Sequence, residues 1–251
     1  MRRRRTLAIS ALKGGVGKTT TAVNLAAAAA RAGRSVLLVD LDPQGSVGAA
    51  LGLEQAKGLG EWLLGESELD ALLARGRAPG LDVLLAGAHL RRAEERFGDK
   101  GRDKRRNRLA RKLADLDAGY DTVILDCPPS ASLLLENAYI AADEIVIPAK
   151  LDYLSLPAME KTRALVKELA PEREKPLKIA GILPTFYDLR THVAEDVLES
   201  LRERFTKVLS PIRINAALAE APSLGKTIFE FDGSARGSVD YALLAEDLKL
   251  A

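Results

Sequence analysis

Along the chain, short runs of consecutive apolar residues alternate with longer stretches in which apolar side chains recur roughly every three to four positions. Apolar runs of about four to eight residues read as strands buried on both faces, and the longer periodic stretches read as helices. Their alternation is the pattern of βαβ crossovers that build a parallel sheet. Strands are predicted at residues 6–11, 35–40, 81–86, 122–126, 144–147 and 179–183, with a short one at 207–209. Helices are predicted at 18–32, 59–74, 105–116, 133–141, 154–169, 191–205 and 239–248. No internal repeat and no Gly/Ser/Pro linker divides the 251 residues, so the expectation is a doubly wound, mostly parallel α/β fold with one domain over 1–251. In such sheets ligands sit beyond the carboxyl ends of the strands, which directs attention to the residues after each one.

Three strand ends carry candidate chemistry. After the first come Lys13, Gly14, Gly15, Val16, Gly17, Lys18, Thr19 and Thr20, opening a helix. Glycines let the backbone curl so that successive N–H groups face a phosphate chain, and the helix N-terminus adds partial positive charge. Lys18 is placed to reach the β/γ-phosphates and Thr19 to ligate Mg²⁺. The strict phosphate-loop spacing fails at its first glycine, where Leu12 stands, and a second lysine, Lys13, precedes Lys18 by five residues. Two ammonium groups would repel across an empty site, which makes more sense if Lys13 serves a phosphate held by another subunit.

After the second strand, Asp40 and Asp42 project the same way, and near a magnesium nucleotide one can sit by the metal while the other orients water. On its own the Asp40–Gly45 segment reads first as a polar turn, because Asp-Pro starts turns. After the fourth, an apolar run ends in Asp126, the form of a strand that holds Mg²⁺ through water, and Cys127-Pro128-Pro129-Ser130 makes a stiff exit suited to sensing γ-phosphate loss.

Composition narrows the classes further. Hydrophobic residues make up 47% and charged residues 29%, a globular balance. The lone Cys127 excludes an internal disulfide and a one-chain zinc or iron–sulfur site, which fits a reducing, cytoplasmic setting, and its place between a strand and two prolines reads as a small buried hydrophobe. The basic start runs into Lys13-Gly14-Gly15 without a cleavage site, so no export signal is expected, and no apolar window is long enough for a membrane span. Residues 243–251 carry Glu246 and Asp247 against Lys249 alone, unlike a basic amphipathic membrane anchor.

The net charge is only +2, yet residues 91–112 hold eleven Lys/Arg against four Asp/Glu. That stretch, including Arg105 and Arg106, reads either as a solvated face or as a contact to duplex phosphate. With aromatic residues at 4%, a base-stacking reader of single strands is disfavoured.

As a set, residues 13–20, 40–45, 126–130, 212–215, 218–226 and 234–237 resemble the deviant Walker A P-loop ATPases of the ParA/MinD superfamily, most closely the small ParA (Soj-like) partition ATPases. The resemblance implies an ATP- and Mg²⁺-dependent sandwich homodimer in which Lys13 of each subunit contacts the nucleotide of the other. It implies further that Asp42 positions the attacking water, Asp40 supports the metal shell, and Arg213 with Asn215 lies where adenine is held. Nonspecific DNA binding, stimulation by a ParB-like partner and a nucleoid-associated cytoplasmic location are implied as well. Two departures stand out. Ala217 occupies the place of an arginine often important for DNA binding, leaving Arg236, the second family arginine, with Lys226, Arg213 or the basic stretch to compensate. Only five residues precede the first predicted strand, so the helix-turn-helix extension of larger ParA proteins is not expected. A protein-positioning ATPase and a biosynthetic ATP-dependent ligase are the alternative readings.

Overall fold

A computed structural model describes residues 4–98, 105–116, 119–152, 155–173, 175–188 and 192–251. The apolar runs form β1 (Arg5–Ile9), β2 (Val36–Asp40), β3 (Leu73–Ala78), β4 (Leu81–Leu84), β5 (Thr122–Asp126), β6 (Glu144–Lys150) and β7 (Lys178–Thr185), hydrogen-bonded in the order β3-β4-β2-β5-β1-β6-β7. All pairings are parallel except the β3–β4 edge hairpin. The helices are α1 (Lys18–Arg31), α2 (Ser46–Leu51), α3 (Leu59–Leu64), α4 (Leu90–Gly98), α5 (Arg108–Ala114), α6 (Leu133–Ala141), α7 (Ser155–Leu169), α8 (His192–Arg204), α9 (Ala216–Glu220), α10 (Ile228–Phe231) and α11 (Arg236–Asp247).

Strand alternation sends successive side chains to opposite layers. Leu37 and Val39 of β2, Ala8 of β1, and Val123 and Leu125 of β5 enter the core beneath Leu59, Leu109 and Leu135, on α3, α5 and α6. Val36, Leu38, Leu7, Ile9 and Ile124 enter the other, against α1 and α11. The alanine run of α1 explains its close seating: Ala22 and Ala26 to Ala30 are all buried, so the helix carries small side chains on nearly every face.

Two expectations are corrected. The helix predicted over 59–74 stops at Leu64, where Gly65 takes φ +76°, and the chain then forms edge strand β3. Its alternation is weak, and its partner is set by a hairpin through Pro79 and Gly80, a turn signal outweighed in the sequence by the leucines before it. Residues 207–209 form a single bridge, Val208 to Ile182, instead of a strand. The basic stretch begins with a helix, α4, and its residues 99–104 lie outside those described. Among the described residues no helix is long and apolar enough to cross a membrane.

Candidate functional site

The carboxyl ends of β1, β2, β5, β6 and β7 meet at one edge of the sheet. From β1 the chain passes through a loop in which Gly15 and Gly17 hold φ of +69° and +84°, backbone that side-chain-bearing residues rarely adopt, and enters α1 at Lys18. The first turn of α1 thus presents free N–H groups at this edge. Val16 is buried and its carbonyl accepts from Thr185 Oγ1 at 3.0 Å, which anchors the loop to β7. Gly14 and Gly15 are exposed.

Lys18 is 8% exposed and donates from Nζ to the carbonyl of Lys13 at 3.0 Å, so its ammonium curls back over the loop. Burial lowers its pKa, opposed by the nearby charges of Asp126, Asp42 and Cys127. Thr19 Oγ1 donates to Asp126 Oδ2 at 2.7 Å. The other oxygen of Asp126, Oδ1, is buried without a hydrogen-bond partner. Desolvation pushes this carboxyl up to about 7, with Thr19 and Lys18 holding it down and Asp42 adding to the rise.

Asp40 and Asp126 are register partners on the neighbouring strands β2 and β5. Asp40, expected in the metal shell, has both oxygens engaged by backbone instead: Oδ1 accepts from the Asp42 N–H at 3.0 Å and Oδ2 from the Val47 N–H at 3.1 Å. Its pKa is well above the usual carboxylate range through desolvation and the charge of Asp126, against the pull of those two N–H bonds. Asp42 sits half-buried in the loop these bonds bracket and accepts the Gln44 N–H at 3.0 Å.

Lys13 points neither at Lys18 nor into solvent. Its Nζ donates to Asp152 Oδ1 at 2.9 Å and to Ser155 Oγ at 3.0 Å, beyond the end of β6. Against the effect of partial burial, the Lys13 bond and a second from Ser155 Oγ to Asp152 Oδ1 at 2.9 Å hold the Asp152 carboxyl below its ordinary value.

Beside Gly17 and Thr20 opens a cavity of about 450 Å³, lined also by Thr185, Phe186, Ile214 and Asn215 and of a size suited to a small organic group. Its far wall is built by residues 212–214, which run along the end of β7 through the Ile212 N–H to Pro184, Tyr187 N–H to Ile212 and Ile214 N–H to Tyr187 bonds. Asn215 Oδ1 is buried there without a partner. Arg213 is turned to Asp240, with Nη2 to Oδ1 at 2.5 Å, and so frames the wall. Phe186, at φ +53° and 44% exposed, lines the mouth.

The four residues assigned to DNA divide. Lys226 and Arg236 are exposed. Arg106 is corrected: it is buried and ion-paired to Glu136 at 2.6 Å and to Glu172, so it fastens α6 to the segment after α7 and faces no phosphate. Arg105 is half-buried. Sequence reasoning missed Asp152, Ser155, Phe186 and Thr185. The Asp152-x-x-Ser155 spacing beyond a predicted strand was the one signal for the first two. Cys127 is buried and its thiol is pushed up by desolvation, as a small hydrophobe would be. His89 bonds through Nδ1 to Glu61 Oε1 at 2.7 Å, a structural role.

Comparison with known proteins gives the family. The AAA_31 family, an AAA domain, matches residues 4–179. The chromosome partitioning protein ParA of Myxococcus xanthus is 39% identical over 97% of this chain and 87% of its own length. The chromosome-partitioning ATPase Soj of Thermus thermophilus is 39% identical over 97% and 95%. Among solved structures, cobyrinic acid a,c-diamide synthase of Mycobacterium smegmatis, with bound ATP analog and magnesium, superposes with a TM-score of 0.84 at 34% identity, covering 97% of this chain and 93% of that one. With a phosphate-type loop, a carboxylate beside its threonine and a parallel sheet that match across nearly the whole chain, this protein belongs to the AAA_31 family and, within it, to the ParA/Soj group of P-loop ATPases.

Proposed function

We propose that the chain is an ATP-hydrolysing partition protein that closes into a sandwich homodimer with ATP and Mg²⁺, binds duplex DNA without sequence preference, and is stimulated by a ParB-like protein in the cytoplasm at the nucleoid. The observation that carries the nucleotide part is the pairing of Thr19 with Asp126 beside the loop while Asp126 Oδ1 lacks a partner. Among the described residues no cluster of three His, Cys, Asp or Glu side chains could hold a metal alone. That donor set suits Mg²⁺, which binds through one or two protein oxygens plus phosphates and water. Thr19 and Asp126 are the residues that would hold it, and the bound ion would neutralise charge building on the β- and γ-phosphates. The loop N–H groups and Lys18 bind the phosphates, the cavity at Asn215 takes the base, and Asp42 orients the attacking water.

The partition part is supported by the names of the curated relatives and by Lys13. Its ammonium is held away from Lys18 by Asp152 and Ser155, next to the exposed Gly14 and Gly15, from where it can turn to a facing copy. The biosynthetic alternative is favoured by the likeness to the diamide synthase, and it gives Lys13 no such task.

The deciding experiment is binding of Asp42→Ala to nonspecific duplex DNA with ATP and with ADP across a salt series. Binding with ATP only, weakening steeply with salt, is expected from phosphate neutralisation by lysine and arginine. An ATP dimer that binds no DNA would refute the DNA reading and move the function to positioning of a protein cargo. A monomer with turnover dependent on a small carboxylate would favour the ligase.

A further inference from the structure

We propose that Asp40 is a positioning residue for hydrolysis: its buried carboxylate clamps both ends of the loop that carries Asp42 and takes no part in holding the metal. This rests on the assignment of Asp42 to the attacking water.

The clamp is visible in four facts. Asp40 is fully buried at the end of β2. Its Oδ1 accepts the Asp42 N–H at 3.0 Å, fixing the point where the chain leaves the strand. Its Oδ2 accepts the Val47 N–H at 3.1 Å, fixing the point where the chain enters α2. Between them, Asp42 is held by a bond within the loop, its Oδ1 accepting from Gln44, and the Gly45 N–H closes onto the Asp42 carbonyl at 2.9 Å. Without Asp40, the loop would keep those internal bonds, the Leu41 N–H bond to the Asp126 carbonyl and the Ala49 N–H bond to the Gly45 carbonyl, none of which joins the strand end to the start of α2.

Its register partner makes the contrast. Asp126 is equally buried, yet it keeps one oxygen unpartnered and shares the other with Thr19. The two carboxyl groups, side by side on adjacent strands, differ in their partners: Asp126 keeps one oxygen without any, whereas each oxygen of Asp40 holds a backbone N–H of the loop. Backbone N–H bonds of this kind are directional, and in a dry site a donor that loses its acceptor is left unsatisfied, so the two bonds fix the backbone at both points. Displacing a reacting group by about 1 Å costs roughly 10²-fold in rate, so a loop pinned at both ends is a direct route to catalysis without contact with substrate.

Asp40→Asn tests this. The amide matches the carboxylate in shape, but one of its two ends is a donor, so either the Asp42 or the Val47 N–H loses its acceptor. The expected result is a kcat lower by roughly ten- to a hundredfold, with KM for ATP and the Mg²⁺ concentration for half-maximal nucleotide binding unchanged within about twofold. Asp40→Asn/Asp42→Ala should turn over no more slowly than Asp42→Ala, because the clamp acts through Asp42. A merely structural residue would lower both backgrounds alike, and that additivity would overturn the proposal. A several-fold shift in the Mg²⁺ requirement, with kcat restored at excess Mg²⁺, would return Asp40 to the metal shell; an unchanged kcat would remove it from the mechanism. If Asp42→Ala itself turns over normally, the assignment of Asp42 fails separately. Amide exchange in the wild-type protein needs no variant: slow exchange at Asp42 and Val47 is expected, and exchange at unstructured rates would show that no clamp exists.

Discussion

Asp126 is a carboxylate the fold keeps in the wrong environment, and Asp126→Asn measures the cost. In the unfolded chain its pKa lies near the ordinary aspartate value, whereas in the folded protein desolvation raises it to about 7. Below roughly pH 4 both states are protonated and the residue is silent. As pH rises from there the unfolded chain releases its proton while the folded one retains it, so stability falls until both are ionised, above about pH 7. Carrying the carboxyl from its ordinary value to about 7 corresponds to ~4 kcal/mol across that window. Asparagine never ionises and can still accept from Thr19, although its amide brings a buried donor to the unpartnered Oδ1 position, a pH-independent cost of about 1–3 kcal/mol. The informative quantity is therefore the change with pH in the difference between the two proteins. For a chain of this size ~4 kcal/mol corresponds to roughly 8–16 °C in Tm. Thermal melts without nucleotide or Mg²⁺ should show the variant gaining on the wild type by about that much between pH 4.5 and 8. A Tm difference that stays flat across this range would refute the reasoning. In the same variant, Mg²⁺ should no longer strengthen nucleotide binding.

Two further outcomes follow from the loop. At Gly14 an added Cβ meets nothing within 4 Å, so Gly14→Val should fold and bind nucleotide normally while failing to dimerise with ATP, as read by light scattering; a normal dimer would mean that no partner approaches that face. Asp152→Ala removes an acceptor of Lys13 whose side chain is 31% exposed, an ion pair worth at most ~1 kcal/mol, so ATP-dependent dimerisation measured by sedimentation should strengthen up to about fivefold, and weakening would show that the pair supports the dimer.

The parallel sheet and the phosphate loop were legible because each rests on local signals that agree: β1, β2 and β5 are apolar on both faces, and Gly15 and Gly17 sit where the backbone needs positive φ. Edge strand β3 was not legible, because Leu73–Ala78 is only partly buried at its ends, lacks a clear alternation and takes its conformation from pairing with β4. Arg106 shows the limit for charge. In sequence it belongs to a basic run, and only folding brings Glu136 and Glu172 to it from other elements. Lys13 was legible as anomalous, since two lysines around one phosphate repel, but the residues that hold it come from beyond β6. Asp40 and Asp42 looked alike as neighbouring carboxylates, and what separates them is which backbone N–H groups the turn brings within reach.

The phosphate loop is thus built in two mechanically different halves. Val16 to Thr20 lead into α1, whose alanines pack against the sheet and α11, and Val16 is tied to β7 through Thr185, so this half cannot move without disturbing the core. Gly14 and Gly15 are exposed, and Lys13 is held by a partly buried ion pair to Asp152 and a hydrogen bond to Ser155, contacts made by one side chain and not by the backbone of the core. Phosphate held in cis needs the rigid half, because N–H groups preorganised at a helix N-terminus pay no ordering cost when the anion arrives. A contact in trans needs the opposite, a cation that stays paired until a partner presents its nucleotide. In the proposed sandwich dimer, placing both on one loop would make dimer formation report on the occupancy of the site, with Lys13 held by Asp152 and Ser155 apart from the phosphate that Lys18 would serve.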